Sequence, residues 1–316
     1  MTKRNYDITE FKIVEKQKNF SHSFRIFFLL LFFLIKLNQI EAQSLDSIKI
    51  ENVTFKSEGV VLTGTTYKPK NSKVAVVIVH GSDKVPRMIE FAELLAKNGI
   101  SVFTYDKRGV GESGGVYAGP EVGTNNIDSV NLTLLAKDAS NAVNKFHELN
   151  KKIPIGLIGF SQAGWIIPIA ANKNPLIEFM VLFSCPTITT LEQLRFQFHT
   201  NGNNNFWETN TEAEAREHIK NDADRYQFTA TDPKTSLNTL SIPGLWLFCE
   251  KDIQIPVKLC MEQLNTFKVQ GKPFEYALFP ALGHNTSSTN ITEPVDISIH
   301  WIKQKALKIK KHKVSK

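Results

Sequence analysis

The stretch Ile153-Pro-Ile-Gly-Leu-Ile-Gly-Phe-Ser-Gln-Ala-Gly-Trp-Ile-Ile-Pro-Ile-Ala-Ala-Asn172 changes character at its middle. Up to Gly159 it is a short apolar run, the pattern of a strand covered on both faces. From Gln162 to Asn172 the spacing predicts a helix. Between them lies Gly159-Phe160-Ser161-Gln162-Ala163, a hydroxyl on a tight turn with small residues on either side that leave the backbone room to bend. A buried strand that feeds directly into a helix is the repeating unit of an α/β fold with a mainly parallel sheet.

The same unit recurs in both directions from this point. Towards the N-terminus, Ser47–Phe55 and Val60–Lys68 read as two strands of a hairpin, and Val74–Val79 as a buried strand. A helix over Pro86–Asn98 follows, then a strand over Ile100–Thr104, a Gly-rich loop through Gly123, and a long helix within Ile127–Asn150. Towards the C-terminus come strand Phe179–Phe183, strand Gly244–Phe248, helix Val257–Phe267, strand Phe274–Leu278 and a terminal helix Val295–Lys308. Residues 186–242 break the pattern. They carry no apolar strand run, and they hold Thr211-Glu-Ala-Glu214, a capping box that opens a helix. An insertion of this size between core strands is a lid or binding element, here a small helical cap that offers Phe196, Phe198, Phe206, Trp207 and Tyr226 as candidate pocket-lining residues.

Net charge is +7, but its distribution argues against nucleic-acid binding. Residues 44–302 hold 24 Lys/Arg against 27 Asp/Glu, while the last fourteen residues hold seven Lys and no acid. A basic face on the domain itself would be needed for phosphate. The basic tail, residues 309–316, is expected to be solvated and frayed. Residues 1–42 read as a signal peptide: a basic start, the ten apolar residues Ile26–Ile35, and a small residue at Ala42. The run is too short to span a bilayer, so no stable membrane insertion is expected after the signal is removed. Export to a periplasmic or extracellular site is expected, with an uncleaved N-terminal anchor as the rival. The mature domain then covers residues 43–308. Cys185, Cys249 and Cys260 are too few for a disulfide framework and are expected as buried thiols, with a Cys249–Cys260 bridge as the alternative.

A serine nucleophile needs a base, and the base needs an orienting carboxylate. On α/β scaffolds of this kind the chain order is Ser, acid, His. Of the eight His, only His284, His300 and His312 follow the last strand–helix unit. His300 falls in the terminal helix and His312 in the tail, whereas His284 sits in the loop Ala281-Leu-Gly-His-Asn285 after a strand end, where catalytic groups gather. Asp252 lies past the strand Gly244–Phe248, at the turn before Pro256, with Glu250 two residues closer to the strand as a substitute. An Asp there is often only a helix cap. The oxyanion donors are expected to be the backbone N–H of Gln162, at a helix N-terminus, and of Ser82, in His80-Gly-Ser-Asp83. His80 reads as a brace for that loop. Asp106-Lys-Arg-Gly-Val-Gly-Glu-Ser-Gly-Gly115 matches no phosphate-binding loop and reads as a tight turn in which Arg108 pairs with nearby acids.

Five ordered motifs, His80-Gly81, Asp106-x-Arg108-Gly109-x-Gly111-x-Ser113, Gly159-x-Ser161-x-Ala163-Gly164, Asp252-x-x-Ile255-Pro256 and Gly283-His284, resemble the α/β-hydrolase superfamily over about residues 48–305. Gly159–Trp165 with Asp232-Pro233 is similar to bacterial carboxylesterases near the prolyl-oligopeptidase and acyl-CoA-thioesterase branches. The resemblance implies the α/β-hydrolase fold, helices on both faces of the sheet, Ser161 as nucleophile, His284 as base, Asp252 as orienter, and neither metal nor organic cofactor. It implies cleavage of a small acyl ester, with thioester or peptide cleavage as alternatives and a non-catalytic binding protein as the outlier. Ala163 stands where the family's pentapeptide has its last Gly. The expected absence of a propeller disfavours a large two-domain oligopeptidase, and export disfavours acyl-CoA.

Overall fold

A computed structural model describes residues 47–119, 126–151, 153–222, 228–285 and 292–314. The expected signal segment, the end of the Gly-rich loop near Gly123, Tyr226 and the last two residues lie outside them. Eight strands form one sheet: β1 Ile48–Ser57, β2 Val60–Pro69, β3 Ala75–Val79, β4 Ser101–Tyr105, β5 Ile155–Phe160, β6 Ile177–Phe183, β7 Gly244–Cys249 and β8 Phe274–Phe279. Their order is β1-β2-β4-β3-β5-β6-β7-β8. The pairs β1/β2 and β2/β4 are antiparallel, and the others are parallel. The hairpin is thus an antiparallel edge on a parallel sheet. Strands β3, β4 and β7 are buried along their whole length, which is why β3 and β7 read as unbroken apolar runs.

Helices α1 Ile89–Lys97, α2 Ser129–Leu149, α3 Ala163–Lys173, α4 Thr190–Thr200, α5 Phe206–Thr209, α6 Glu212–Asn221, α7 Lys234–Leu237, α8 Val257–Val269 and α9 Glu293–Val314 complete the described elements. Phe91 and Leu95 of α1 share a core with Ile299 and Ile302 of α9. Residues of α2, α3 and α8 form the core on the other face. Chain order runs from β3 outward to β4, then back across β3 to β5. The strand order therefore reverses between β3 and β5, and the loops after these two strands diverge to leave a crevice at their C-terminal ends.

Two expected boundaries shift. The helix expected from Pro86 starts at Ile89: the Arg87 N–H donates to Asp106 Oδ1 (2.7 Å) and the Met88 N–H to Thr104 Oγ1 (2.9 Å), which fastens this segment to β4 and its end with Met88 at φ −82° and ψ 77°, outside the helical region. The terminal helix continues past Lys308 to Val314.

Among its described residues the region 186–242 contains four short helices, two of them opened by capping boxes, at Thr189/Glu192 and at Thr211/Glu214. Phe196, Phe206, Ala215 and Ile219 form a small core of their own. Ile188, Leu194, Leu237 and Leu240 instead join the main core. Cys185, Cys249 and Cys260 are free and buried, so no Cys249–Cys260 bridge forms. Burial pushes the Cys249 and Cys260 thiols up to about 12. Among the described residues no helix is long and apolar enough to cross a membrane.

The Gly-rich loop is a tight turn. Arg108 grips Asp138 through two bonds (Nη2–Oδ1 2.5 Å, Nε–Oδ2 3.0 Å). Asp106 accepts from Arg87 Nη2 at 2.6 Å and from the Glu112 N–H at 3.0 Å. Burial works against its charge, but Arg87 and these amides win and hold the carboxyl below its ordinary value.

His80, 3% exposed, reaches the Pro86 carbonyl through Nε2 at 3.2 Å. A carbonyl only accepts, so Nε2 carries the proton. Burial, helped by the Lys107 ammonium, pushes the ring down to about 4 from 6.5. The unfolded chain therefore takes up a proton first, and stability present above pH 6.5 is lost as pH falls towards 4. At 1.36 kcal/mol per unit this amounts to about 3 kcal/mol. In urea unfolding series across that window, His80→Gln should flatten the acid limb. An unchanged limb would show that other groups set it.

Candidate active site

Ser161 takes φ of +48° at the step from β5 to α3. A side chain in this region costs about 1–3 kcal/mol and persists only where its surroundings impose it. Here the Ser161 N–H donates to Phe183 O (3.0 Å), and Ser161 O accepts from the Gly164 N–H (2.9 Å). The small neighbours are sterically required. A Cβ on Gly159 would lie 2.5 Å from Ala163 Cβ, and one on Gly164 would lie 2.6 Å from the Pro186 carbonyl. Ala163 is small enough to sit beside Gly159, so an alanine in place of the pentapeptide's last glycine leaves the turn intact.

Asp252 is fully buried in the loop after β7, and its two oxygens do different work. Oδ1 accepts the N–H groups of Gln254 (2.7 Å) and Ile255 (3.0 Å), while Oδ2 lies 2.7 Å from His284 Nδ1. One carboxylate thus closes its own loop and faces the histidine; it caps no helix, since α8 begins after Pro256 with no side-chain cap bond. Glu250 is exposed and lines a different cavity. His300 is exposed on α9, beside Gln304. His284 Nε2 is buried and makes no hydrogen bond among the described residues. It faces no competing donor, and in unliganded sites the bond from base to nucleophile is commonly long and tightens with substrate.

Ser161 and His284 line one cavity of about 280 Å³, together with Gly81, Ser82 and Asp83 of the loop after β3. Val85, Met88, Phe160 and Phe183 supply its apolar wall. Among the described residues no hydrogen bond uses the N–H of Ser82 or of Gln162. Both donors remain available where the expected oxyanion would sit. Gln162 is held by its side chain, whose Nε2 donates to Asn126 O at 2.5 Å. No group of three or more His, Cys, Asp or Glu is gathered for a metal among the described residues.

Two contributors escaped the sequence reading. Ser184 ends β6 with φ of +47° and lines the cavity. Its only sequence signal is its place at a strand end. Gln254 lines the cavity too, and its carbonyl accepts Gln193 Nε2 of α4 at 2.9 Å. Trp207 donates its indole N–H to Asp252 O at 2.8 Å, tying α5 to the acid loop. Phe198, which also stood among the possible lining residues, is exposed and is not in the cavity wall.

Residues 70–242 match the serine aminopeptidase (S33) family. No curated protein matches the chain. Among solved structures, the Pyrococcus furiosus esterase Pf2001 superposes with TM-score 0.60 at 18% identity, covering 82% of this chain and 92% of that one. The α/β-hydrolase GrgF from Penicillium sp. sh18 gives 0.56 at 17% identity, covering 82% and 99%. The Pyrococcus horikoshii acylaminoacyl peptidase gives 0.55 at 18%, covering 80% of this chain and 39% of that one. Identities this low speak for the fold alone.

Proposed function

The chain belongs to the serine aminopeptidase (S33) family and is a serine hydrolase with the α/β-hydrolase fold, and from that premise we propose that it cleaves small carboxylic esters with Ser161, His284 and Asp252. The observation that carries this is Asp252: a fully buried carboxylate 2.7 Å from His284 Nδ1, with Nε2 left unpartnered in the wall of the cavity that Ser161 also lines.

In this reading Asp252 holds the Nδ1–H tautomer, so that Nε2 is a base. His284 takes the Ser161 proton as Oγ attacks the acyl carbonyl. The tetrahedral oxyanion is held by the N–H groups of Ser82 and Gln162. His284 returns the proton to the departing alkoxide, and water then clears the acyl-enzyme with His284 again as base. The wall of Val85, Met88, Phe160 and Phe183 suits a short apolar acyl or alcohol group.

Asp83 favours a second reading. It is exposed and lines the same cavity, where its carboxylate would suit the free ammonium of an aminoacyl substrate. A panel of nitrophenyl esters from acetyl to dodecanoyl, run beside aminoacyl nitroanilides, separates the two. The ester reading expects short acyl esters to lead in kcat/KM and Asp83→Asn to leave them unchanged. Anilides that lead by more than roughly tenfold, and that Asp83→Asn abolishes, would replace it with the aminopeptidase reading.

A further inference from the structure

The loop that carries Ser82 is held from behind by a cation. Lys107, one residue after Asp106, is 4% exposed, and its Nζ donates to the carbonyl of Gly81 and to that of Ser82 at 3.2 Å, with Asp83 O at 3.5 Å. The Tyr117 hydroxyl donates to the same Ser82 carbonyl at 2.8 Å, and Lys107 Nζ lies 5.6 Å from the Tyr117 ring centre. Both residues belong to the Gly-rich loop. Gly109, at φ +71°, lets the Tyr117 backbone pass where any Cβ would meet its nitrogen at 2.2 Å.

Peptide planarity turns this clamp into an orientation. In a trans peptide the C=O and the following N–H point in opposite directions. A Gly81 carbonyl fixed on Lys107 therefore turns the Ser82 N–H away from Lys107. The loop at that point packs against the nucleophile, since a Cβ on Gly81 would lie 3.6 Å from Ser161 Cβ.

We propose that Lys107 and Tyr117 are positioning residues that aim the Ser82 N–H at the oxyanion and polarise that amide with a buried positive charge. The proposal rests on the reading of Ser161 as the nucleophile. Such a device acts on the transition state, because a donor preset for the oxyanion contributes little to the ground-state carbonyl. Lys107→Met should lower kcat by about 10–100-fold, less than the loss of an oxyanion donor itself. KM should stay within about threefold, as expected when only a transition-state contact is removed. Tyr117→Phe should lower kcat several-fold, and Lys107→Arg should restore part of the loss.

The test measures, on the full chain, ester kcat and KM, inhibition by a boronic acid whose Ser161 adduct is tetrahedral, and thermal unfolding. Support requires the inhibition constant to weaken across the variants in step with the fall in kcat/KM, which a merely structural role would not produce. If Lys107→Met does not fold, Tyr117→Phe carries the same comparison, since it removes a single oxygen. Folded variants with kcat within twofold of wild type, or with unchanged boronate inhibition, would overturn the proposal. A wild-type chain that neither hydrolyses esters nor binds the boronate would overturn the underlying function as well, so the two failures are distinguishable.

Discussion

Ser161→Ala is expected to lower kcat for ester hydrolysis by about 10⁶-fold, leaving only the contribution of the oxyanion donors and binding. The size follows from removing the atom that forms the acyl-enzyme. Without Oγ, water has to attack the carbonyl directly. His284→Ala should cost about as much, because an Oγ without a base attacks no better than no Oγ. The Ser161→Ala, His284→Ala double variant should then be no worse than either single one. Single-turnover kinetics with a nitrophenyl ester reads all three, with the burst lost in each. Ser161→Ala retaining activity within tenfold of wild type on every ester would remove the nucleophile assignment. An additive double variant would separate base from nucleophile.

Asp252→Asn is expected to cost about 10⁴-fold in kcat, the scale seen when an orienting acid loses its charge but keeps its shape. The two bonds on Oδ1 explain why the amide cannot compensate. The N–H groups of Gln254 and Ile255 demand an acceptor at that position, so the amide oxygen must stay there. The amide nitrogen is then forced towards His284 Nδ1, which has to accept. The ring adopts the Nε2–H tautomer and presents a proton to Ser161 instead of a lone pair. Glu250→Gln, on the exposed side of the same loop, should change kcat less than twofold, roughly the noise of a surface substitution. The pH profile of kcat/KM for the three enzymes checks the assignment. A crippled Glu250→Gln beside a normal Asp252→Asn would exchange the acids.

Much of this site was legible because its demands are local. The turn at Ser161 needs small residues at 159, 163 and 164, and they are written in sequence. Chain order then left three late histidines, and the place of His284 in a loop after a strand end chose among them. The choice between Asp252 and Glu250 was harder, since both follow one strand end. What separates them is burial against a loop 32 residues downstream. Helix α4 went unread although Thr189-Thr-Leu-Glu192 carries the same capping signal as Thr211–Glu214. Its apolar residues point to two different cores, Leu194 to the main one and Phe196 to the small one, which blurs a single helical stripe. Lys107 and Tyr117 left no trace at all. Their partners are backbone carbonyls, which every residue has, so only the three-dimensional loop reveals them.

The three enclosed thiols turn the native chain into its own unfolding clock. They are the only cysteines in 316 residues; Cys185, just past β6, and Cys260, on α8, lie in the core on one face of the sheet, and Cys249, at the end of β7, lies in the core on the other. A water-soluble maleimide reacts with none of them until that region opens, so mass spectrometry of the labelled peptides times the opening of each region separately. The same enclosure means that one cysteine introduced on the surface is the sole site a dye can reach in the folded state. Site-specific fluorescence work on this hydrolase therefore needs no cysteine-free background.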